Sequence, residues 1–299
     1  IVIGTGFSFS SADFASALQA REGATLPPLP EAPFDWSNFL AAASILFSSF
    51  IGFDSIAQAG GEAKNPSRNL PLAIGISVVS VGAFYMLFTA AVYHAVPWPY
   101  VAQQAMTRDV TAPGLLGMLL PGGFTVAIVA GAAVSLTNDL PAMLLAVSRL
   151  MFAWAEDGIF PRAVARVNPA WRTPHVALVL SGAMASISIL GSHLASDFFL
   201  GVDILVTSML VNFLVMCLSV IALPRTNPAI AKDVTVLPDR RIQTPLAGLG
   251  VLVLSLFLVV HIAKDLATPV AHWALRSTFV WIVVMAVASA IYALEVRKL

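Results

Sequence analysis

The sequence predicts an all-α, polytopic membrane protein, and three observations support this fold class. Hydrophobic residues make up 58% of the 299 residues and charged residues 11%, whereas soluble domains carry about 25% charged residues. Seven apolar stretches reach or approach the length of about 20 residues that a helix needs to cross a bilayer. Lys and Arg concentrate in alternate loops between these stretches, as in chains that cross a membrane repeatedly.

The composition also excludes several classes of function. The 16 basic and 16 acidic residues cancel to a formal charge of zero, so no overall basic field favours nucleic acid as a partner. Cys217 is the only cysteine, which excludes a disulfide scaffold and a cysteine zinc site. The five histidines lack the spacing of metal ligands, and no glycine-rich phosphate loop of an ATP-driven pump is present. We therefore expect no cofactor and no metal.

The elements follow in order along the chain. The sequence begins inside an apolar string without an initiating Met or a preceding basic region, so we interpret 1–9 as the end of a truncated transmembrane helix. Residues 10–37 are polar and proline-rich and are expected to form an extracellular loop, while 224–245 is expected to form a cytoplasmic loop. The seven apolar stretches are 39–58, 72–94, 122–154, 174–191, 199–223, 246–263 and 277–294.

Basic residues mark one side of the membrane. Eleven of the sixteen Lys and Arg residues lie in the loops 59–71, 155–173 and 224–245 and in the tail from Glu295. Because Lys and Arg accumulate on the cytoplasmic side, we expect these loops and the C-terminus to be cytoplasmic, in a multi-pass protein of the plasma or inner membrane. Arg149 lies near the inner end of its helix, where a structural or gating role is expected.

Two of the seven helices are expected to be broken. The first is interrupted at 49–54, where Gly52 frees the backbone to unwind within an otherwise apolar stretch. The second, 122–154, is longer than one crossing needs, and Pro141 favours a kink near Thr137. Irregular backbone survives at membrane depth only where protein or a wet cavity surrounds it, and secondary transporters build their sites from such broken helices.

Asp54 and Asp139 are the two carboxylates that lie deepest in apolar surroundings. A charge at the bilayer centre is costly, so both side chains are expected to face the interior of the helix bundle. Each carboxylate either carries a proton or pairs with a substrate ammonium group, or it only satisfies backbone donors at the break. Asn138 and Thr137 add polar groups beside Asp139 and favour the functional interpretation there.

Two sequence motifs resemble a known family. The first is Phe50-Ile51-Gly52-Phe53-Asp54 followed by Gly61-Glu62-Ala63-Lys64-Asn65-Pro66-Ser67-Arg68-Asn69-Leu70-Pro71. The second is Ser148-Arg149, then Glu156-Asp157-Gly158-Ile159-Phe160-Pro161, then Asn168 and Arg172-Thr173-Pro174. In this order the motifs resemble the sixth helix, and the end of the eighth helix with its following loop, of amino acid permeases of the amino acid–polyamine–organocation (APC) superfamily.

The resemblance implies a twelve-helix permease with a five-plus-five inverted repeat, the LeuT-like architecture. This chain would then hold the end of the fifth helix and helices six to twelve. Residues 38–223 would form the second inverted repeat with five transmembrane helices, and 246–299 two C-terminal helices and a tail. The missing N-terminal five helices would be a partner of this chain, together with membrane lipid.

The resemblance also implies a substrate site around the break. Backbone carbonyls near Phe50 and Ile51 would face a substrate ammonium group, and Phe50 or Phe53 would form an aromatic lid. The region around Met143 offers no hydroxyl for a sodium site, which favours proton coupling or exchange. The implied substrate-binding residues are Ser48, Phe50, Ile51, Gly52, Phe53, Asp54, Asp139 and Met143; the coupling or gating candidates are Asp54, Asp139 and Asn138; and the cytoplasmic motif comprises Glu62, Asn65, Pro66, Arg68, Arg149, Asp157 and Gly158.

The expected function is therefore a secondary active transporter that moves amino acids or related amines by alternating access, and not an enzyme. One alternative is an intramembrane aspartyl protease with Asp54 and Asp139 as its dyad, although neither residue lies in the motif of such enzymes. A second alternative is a non-transporting membrane subunit whose broken helices only pack. The sequence leaves the particular amino acid or amine open.

Overall fold

A computed structural model of the chain describes residues 1–29, 33–53, 55–58, 63–106, 110–195, 200–232, 234, 236–269 and 273–296. Within these ranges the regular elements are all helical, so the predicted all-α class is confirmed. Short 3₁₀ segments lie at Phe47–Phe50, Arg162–Ala165 and Trp273–Leu275. The α-helices are α1 Val2–Ser8, α2 Ser11–Glu22, α3 Trp36–Leu46, α4 Ser55–Gln58, α5 Pro66–Ala95, α6 Trp98–Ala105, α7 Ala112–Leu116, α8 Gly122–Glu156, α9 His175–Ala195, α10 Leu200–Thr226, α11 Pro228–Lys232, α12 Arg240–Ala267 and α13 Ser277–Val296.

Six helices in the described part of the chain are long and apolar enough to cross a membrane: α5, α8, α9, α10, α12 and α13. They correspond to six of the seven predicted stretches, and the chain is a polytopic membrane protein. The remaining stretch, predicted at 39–58, contains the shorter apolar helical segment Trp36–Phe50. It is shorter because the helix stops at the predicted interruption.

Helix α2 lies within the segment 10–37, for which the sequence predicts only a loop. Its first turn has a capping box: the Ser10 hydroxyl accepts a hydrogen bond from the Asp13 N–H, and the Asp13 carboxylate accepts one from the Ser10 N–H at 2.7 Å. These bonds, chiefly the one from the backbone N–H, lower the pKa of Asp13. Phe14 and Leu18, one turn apart, are fully buried and hold α2 against its neighbours.

Helix α8 is continuous through Pro141, so the backbone does not unwind at the break predicted in 122–154. A proline in a helix removes one backbone hydrogen bond, and the remaining bonds of a 35-residue helix outweigh that loss. The Thr137 hydroxyl donates to the Ala133 carbonyl at 2.8 Å, a bond within the same helix. A polar sequence around a proline therefore did not suffice to unwind this helix.

The chain divides into two compact units. The first comprises Ile1–Phe34 and Ser77–Ala142. In it, the Phe14 and Tyr100 rings meet edge to face with their centroids 5.0 Å apart. Gly6 approaches the backbone of Ala91 so closely that a Cβ atom would lie 2.3 Å from the Ala91 carbonyl oxygen. The core of this unit consists of Phe14, Leu18, Val92, Ala95, Val96, Tyr100, Leu115 and Leu116.

The second unit comprises Asp35–Ile76 and Met143–Leu299. Helix α10 is its centre and contacts α3, α9, α12 and α13. Polar bonds reinforce this packing: Trp281 Nε1 on α13 donates to the Ser208 hydroxyl on α10 at 3.0 Å, and Lys264 Nζ on α12 donates to Asn38 Oδ1 on α3 at 2.9 Å. These contacts position the interrupted segment that follows α3 against α10.

Candidate functional site

The candidate site is the interruption that follows helix α3. The helix ends at Leu46, a 3₁₀ turn covers Phe47–Phe50, and Ile51 takes an extended conformation with ψ of 142°. Gly52 has φ of +121°, which side chains with a Cβ atom rarely adopt. Helical hydrogen bonding resumes when the Ser55 N–H donates to the Gly52 carbonyl at 3.2 Å. The backbone is thus irregular over the predicted segment, and glycine is required at its sharpest point.

Side-chain hydroxyls stabilise the turn on the α3 side. The Ser48 hydroxyl donates to the Ile45 carbonyl at 2.7 Å, and the Ile51 N–H donates to the Ser48 carbonyl at 3.1 Å. The Ser44 side chain is fully buried and its hydroxyl donates to the Ala41 carbonyl at 2.7 Å. These bonds hold the end of α3 and the turn that follows it.

An aromatic cluster holds the interruption against α10. Phe53 stacks on Phe213, with ring centroids 5.3 Å apart and planes 17° apart. Phe47, from the 3₁₀ turn, meets the same Phe213 ring edge to face at 5.8 Å. Each such aromatic pair contributes about 0.5–1.5 kcal/mol beyond its buried area. Phe213 therefore fixes the residues on both sides of the break.

Met143 is a predicted site residue from another helix that lies beside the interruption. A Cβ atom on Gly52 would lie 4.0 Å from Met143 Cε, which is ordinary van der Waals contact. Ser48, Phe50, Ile51, Gly52 and Phe53 are all half-buried, with part of their surface accessible. The structure thus brings together the predicted residues of the break and Met143 around one partly open, mainly apolar surface.

The predicted acidic residues have a different outcome. Asp54 lies outside the described residues. Asp139 and Asn138 belong to the first unit, and both side chains are exposed in the described part of the chain. The predicted coupling role of these residues stays a prediction.

The first predicted cytoplasmic motif forms a helix start. Glu62 lies outside the described residues. Asn65 has φ of +48°, and its carbonyl accepts the Arg68 and Asn69 N–H groups at 3.1 and 3.0 Å. Pro66 is the first residue of α5, where a missing N–H costs nothing and the fixed φ suits a helix. Arg68 is exposed. Asn65 and Pro66 therefore have a structural role that explains their residue types.

The second motif forms a helix end. Gly158 has φ of +76°, and the N–H groups of Ile159 and Phe160 donate to the Trp154 carbonyl at 2.8 and 3.1 Å. This left-handed glycine ends α8 in the manner usual for helix C-termini. The Asp157 N–H still donates within the helix, to Ala153 at 2.9 Å, and Arg149 is half-buried near this end.

Sequence reasoning missed Phe47 and Phe213. Both lie in apolar stretches where a phenylalanine that packs against a helix cannot be distinguished from one that faces lipid. Phe47 lies two residues before the predicted interruption at 49–54 and could have been included on that ground. Among the described residues, no group of three or more His, Cys, Asp or Glu side chains could hold a metal ion.

Comparison with known proteins identifies the chain's relatives. The profile of a family described as "Amino acid permease" matches residues 1–291. The chain is 32% identical over 170 residues to the "Branched-chain amino acid permease BcaP" of Bacillus subtilis (strain 168), a match covering 56% of this chain and 35% of that protein. It is 32% identical over 154 residues to the "Cationic amino acid transporter 4, vacuolar" of Arabidopsis thaliana, covering 52% and 25%.

A third relative is the "Methylthioribose transporter" of Bacillus subtilis (strain 168), which is 28% identical over 205 residues. This match covers 67% of the chain and 42% of that protein. The chain thus spans between about a quarter and two fifths of the length of these relatives.

Proposed function

This chain belongs to the amino acid permease family, and we propose that it acts in secondary active transport of amino acids or related amines by alternating access. The family consists of transporters, which is the basis for treating the protein as a permease and not as an enzyme. The three relatives are named for a branched-chain amino acid, for cationic amino acids and for methylthioribose, so family membership alone leaves the substrate open.

The observation that carries the proposal is the irregular backbone from Phe47 to Phe53. It interrupts an apolar helix, and the described part of the chain has six other helices long and apolar enough to cross a membrane. Lipid cannot satisfy the polar groups that an interruption frees, so such backbone at membrane depth lines a cavity or is buried in protein. A small polar solute that donates N–H groups provides the complementary chemistry.

In the proposed site, carbonyl groups near Phe50 and Ile51 accept hydrogen bonds from the substrate ammonium group. A carbonyl dipole next to a cationic donor forms a charge-assisted hydrogen bond, which is about twice as strong as a neutral one. Phe53 is held by Phe213 and contributes an aromatic face, while Met143 contributes a flexible thioether wall beside Gly52. This described lining favours substrates with a neutral, apolar side chain.

Coupling is proposed to use protons or exchange. Asp54 and Asp139, with Asn138, are the candidates, because these two carboxylates lie deepest in the apolar stretches of the sequence and an amide precedes one of them. We further propose that 38–223 forms the second half of a five-plus-five repeat, whose other half supplies the remaining contacts. The C-terminus is proposed to be cytoplasmic because the predicted cytoplasmic loops and tail hold most of the Lys and Arg residues.

The test is uptake by the full-length protein in proteoliposomes. A panel of labelled neutral, cationic and acidic amino acids, polyamines and methylthioribose is supplied with and without an inward proton gradient. Uptake of one class that rises with the gradient supports proton coupling, and uptake only into vesicles preloaded with substrate supports exchange. Absence of uptake of the whole panel under both conditions contradicts the proposal.

A further inference from the structure

A groove of about 390 Å³ lies between the adjacent ends of α10 and α12, away from the interruption. Its walls come from the last part of α10, the first turns of α12 and, between these helices, Val234, Val236 and Leu237. Val220 and Leu246 are 40% and 56% exposed, so the groove opens onto the outer surface of the described chain. The apolar walls include Met216, Val220, Leu223, Val236 and Leu246.

One cationic side chain interrupts this apolar lining. Arg240, the first residue of α12, lines the groove, and its Nη1 donates to the Val220 carbonyl at 3.2 Å. Arg240 Nη2 is buried and has no hydrogen-bond partner within the described chain. A buried donor without a partner is destabilising, and a guanidinium group prefers the oxygens of a phosphate or carboxylate. The groove thus combines an apolar wall with an unused cationic donor.

The placement of the charge fits a lipid. Arg240 lies where α12 begins, which is the level of the membrane boundary for a helix that crosses the bilayer. Ala247, also in the wall, lies seven residues deeper, or about 10 Å along the helix axis. The charge therefore lies where the head group of an amphiphile would be, and the apolar wall lies where its acyl chain would be.

From these observations we propose that the groove binds an anionic phospholipid, with an acyl chain along the α10–α12 wall and the phosphate at Arg240. Water is a poor occupant, because a bound water needs two to four polar partners and the walls are mainly hydrocarbon. A zwitterionic lipid offers a phosphate too, but its positive group reduces the net attraction to the guanidinium. The site therefore selects for net negative charge.

The first experiment is native mass spectrometry of the full-length protein in detergent, with dioleoyl phosphatidylglycerol and dioleoyl phosphatidylcholine. We expect the wild-type protein to bind the anionic lipid about fivefold to tenfold more tightly, which corresponds to one basic side chain at a membrane surface. Arg240→Gln is expected to remove this preference, and Arg240→Lys to retain most of it. Arg166→Gln, an exposed arginine in the loop after α8, is the matched control and is expected to change nothing.

The second experiment needs no variant. Cys217 is half-buried and lies in the groove wall, so an acyl chain in the groove covers its thiol. Added phosphatidylglycerol is expected to slow alkylation of Cys217 by N-ethylmaleimide at least threefold, and phosphatidylcholine at the same concentration much less. Equal binding of both lipids, an unchanged preference in Arg240→Gln, or an unchanged alkylation rate overturns the proposal.

Discussion

Gly52→Ala is the substitution that tests most directly whether the interruption is the working site. Gly52 has φ of +121°, and an added Cβ atom would meet only Met143 Cε, at 4.0 Å. The cost is therefore a backbone cost and not a steric clash. Residues forced into sparsely populated φ/ψ regions lose about 1–3 kcal/mol. That energy corresponds to a factor of about 5 to 150 in the population of the native turn.

Uptake by the full-length protein in proteoliposomes measures this effect, normalised to the amount of folded protein. We expect Gly52→Ala to lower kcat/KM for uptake by about 5- to 150-fold. Gly248→Ala is the matched control, because Gly248 lies inside α12 with no atom within 4 Å of an added Cβ atom. Alanine is the better helix former, so this variant is expected to transport normally. Wild-type uptake by Gly52→Ala would refute the proposed role of the turn.

Three further predictions concern packing and pH. Phe213→Ala removes both aromatic contacts to the interruption, and we expect a lower thermal midpoint and a raised KM for uptake. Phe213→Leu is expected to give intermediate values, and an unchanged KM in Phe213→Ala would contradict this. The lowered pKa of Asp13 means that its capping bond stabilises α2 above the unfolded pKa and is lost as pH falls through the folded pKa. The protection factors of the α2 amides against hydrogen exchange, which correct for the intrinsic pH dependence, should accordingly fall in acid more in the wild-type protein than in Asp13→Asn, and an equal fall would contradict this. Gly6→Ala places a Cβ atom 2.3 Å from the Ala91 carbonyl oxygen and is expected to abolish a monodisperse peak in size-exclusion chromatography, whereas Gly4→Ala, with open space around it, is expected to preserve it.

The site was predictable where local backbone chemistry decides the structure. Gly52 could be recognised as the point of interruption because a glycine weakens a helix within a long apolar stretch. The structure gives Gly52 a φ that only glycine adopts readily. The start of α2 could also have been predicted, because Ser10 and Asp13 have the spacing of a capping box. The prolines and polar residues of 10–37 favour a loop and mask that local signal.

Helix α8 is a case in which local sequence did not predict the backbone. Thr137, Asn138 and Pro141 provide the polar groups and the missing N–H that favour a break, yet the helix is continuous. A proline destabilises a helix by about 3 kcal/mol. A long helix stays continuous when no other backbone conformation has a lower free energy. Whether a proline kinks, breaks or only bends a helix depends on what packs around it, and the sequence does not contain that information locally.

Apolar stretches and short motifs were enough to predict the all-α membrane class, six of the seven membrane-spanning helices and the position of the interruption. They also carried the resemblance to amino acid permeases. These features depend on the length of apolar runs and on single residues with special backbone behaviour. Contacts between distant parts of the chain were not predictable and come from the three-dimensional structure. Phe213 packs on Phe47 and Phe53, Met143 lies beside Gly52, and Arg240 lines an apolar groove. In a membrane, residues that face lipid and residues that face another helix are equally apolar. The hydrophobic pattern therefore does not show which helices contact each other, and the packing of their side chains decides it.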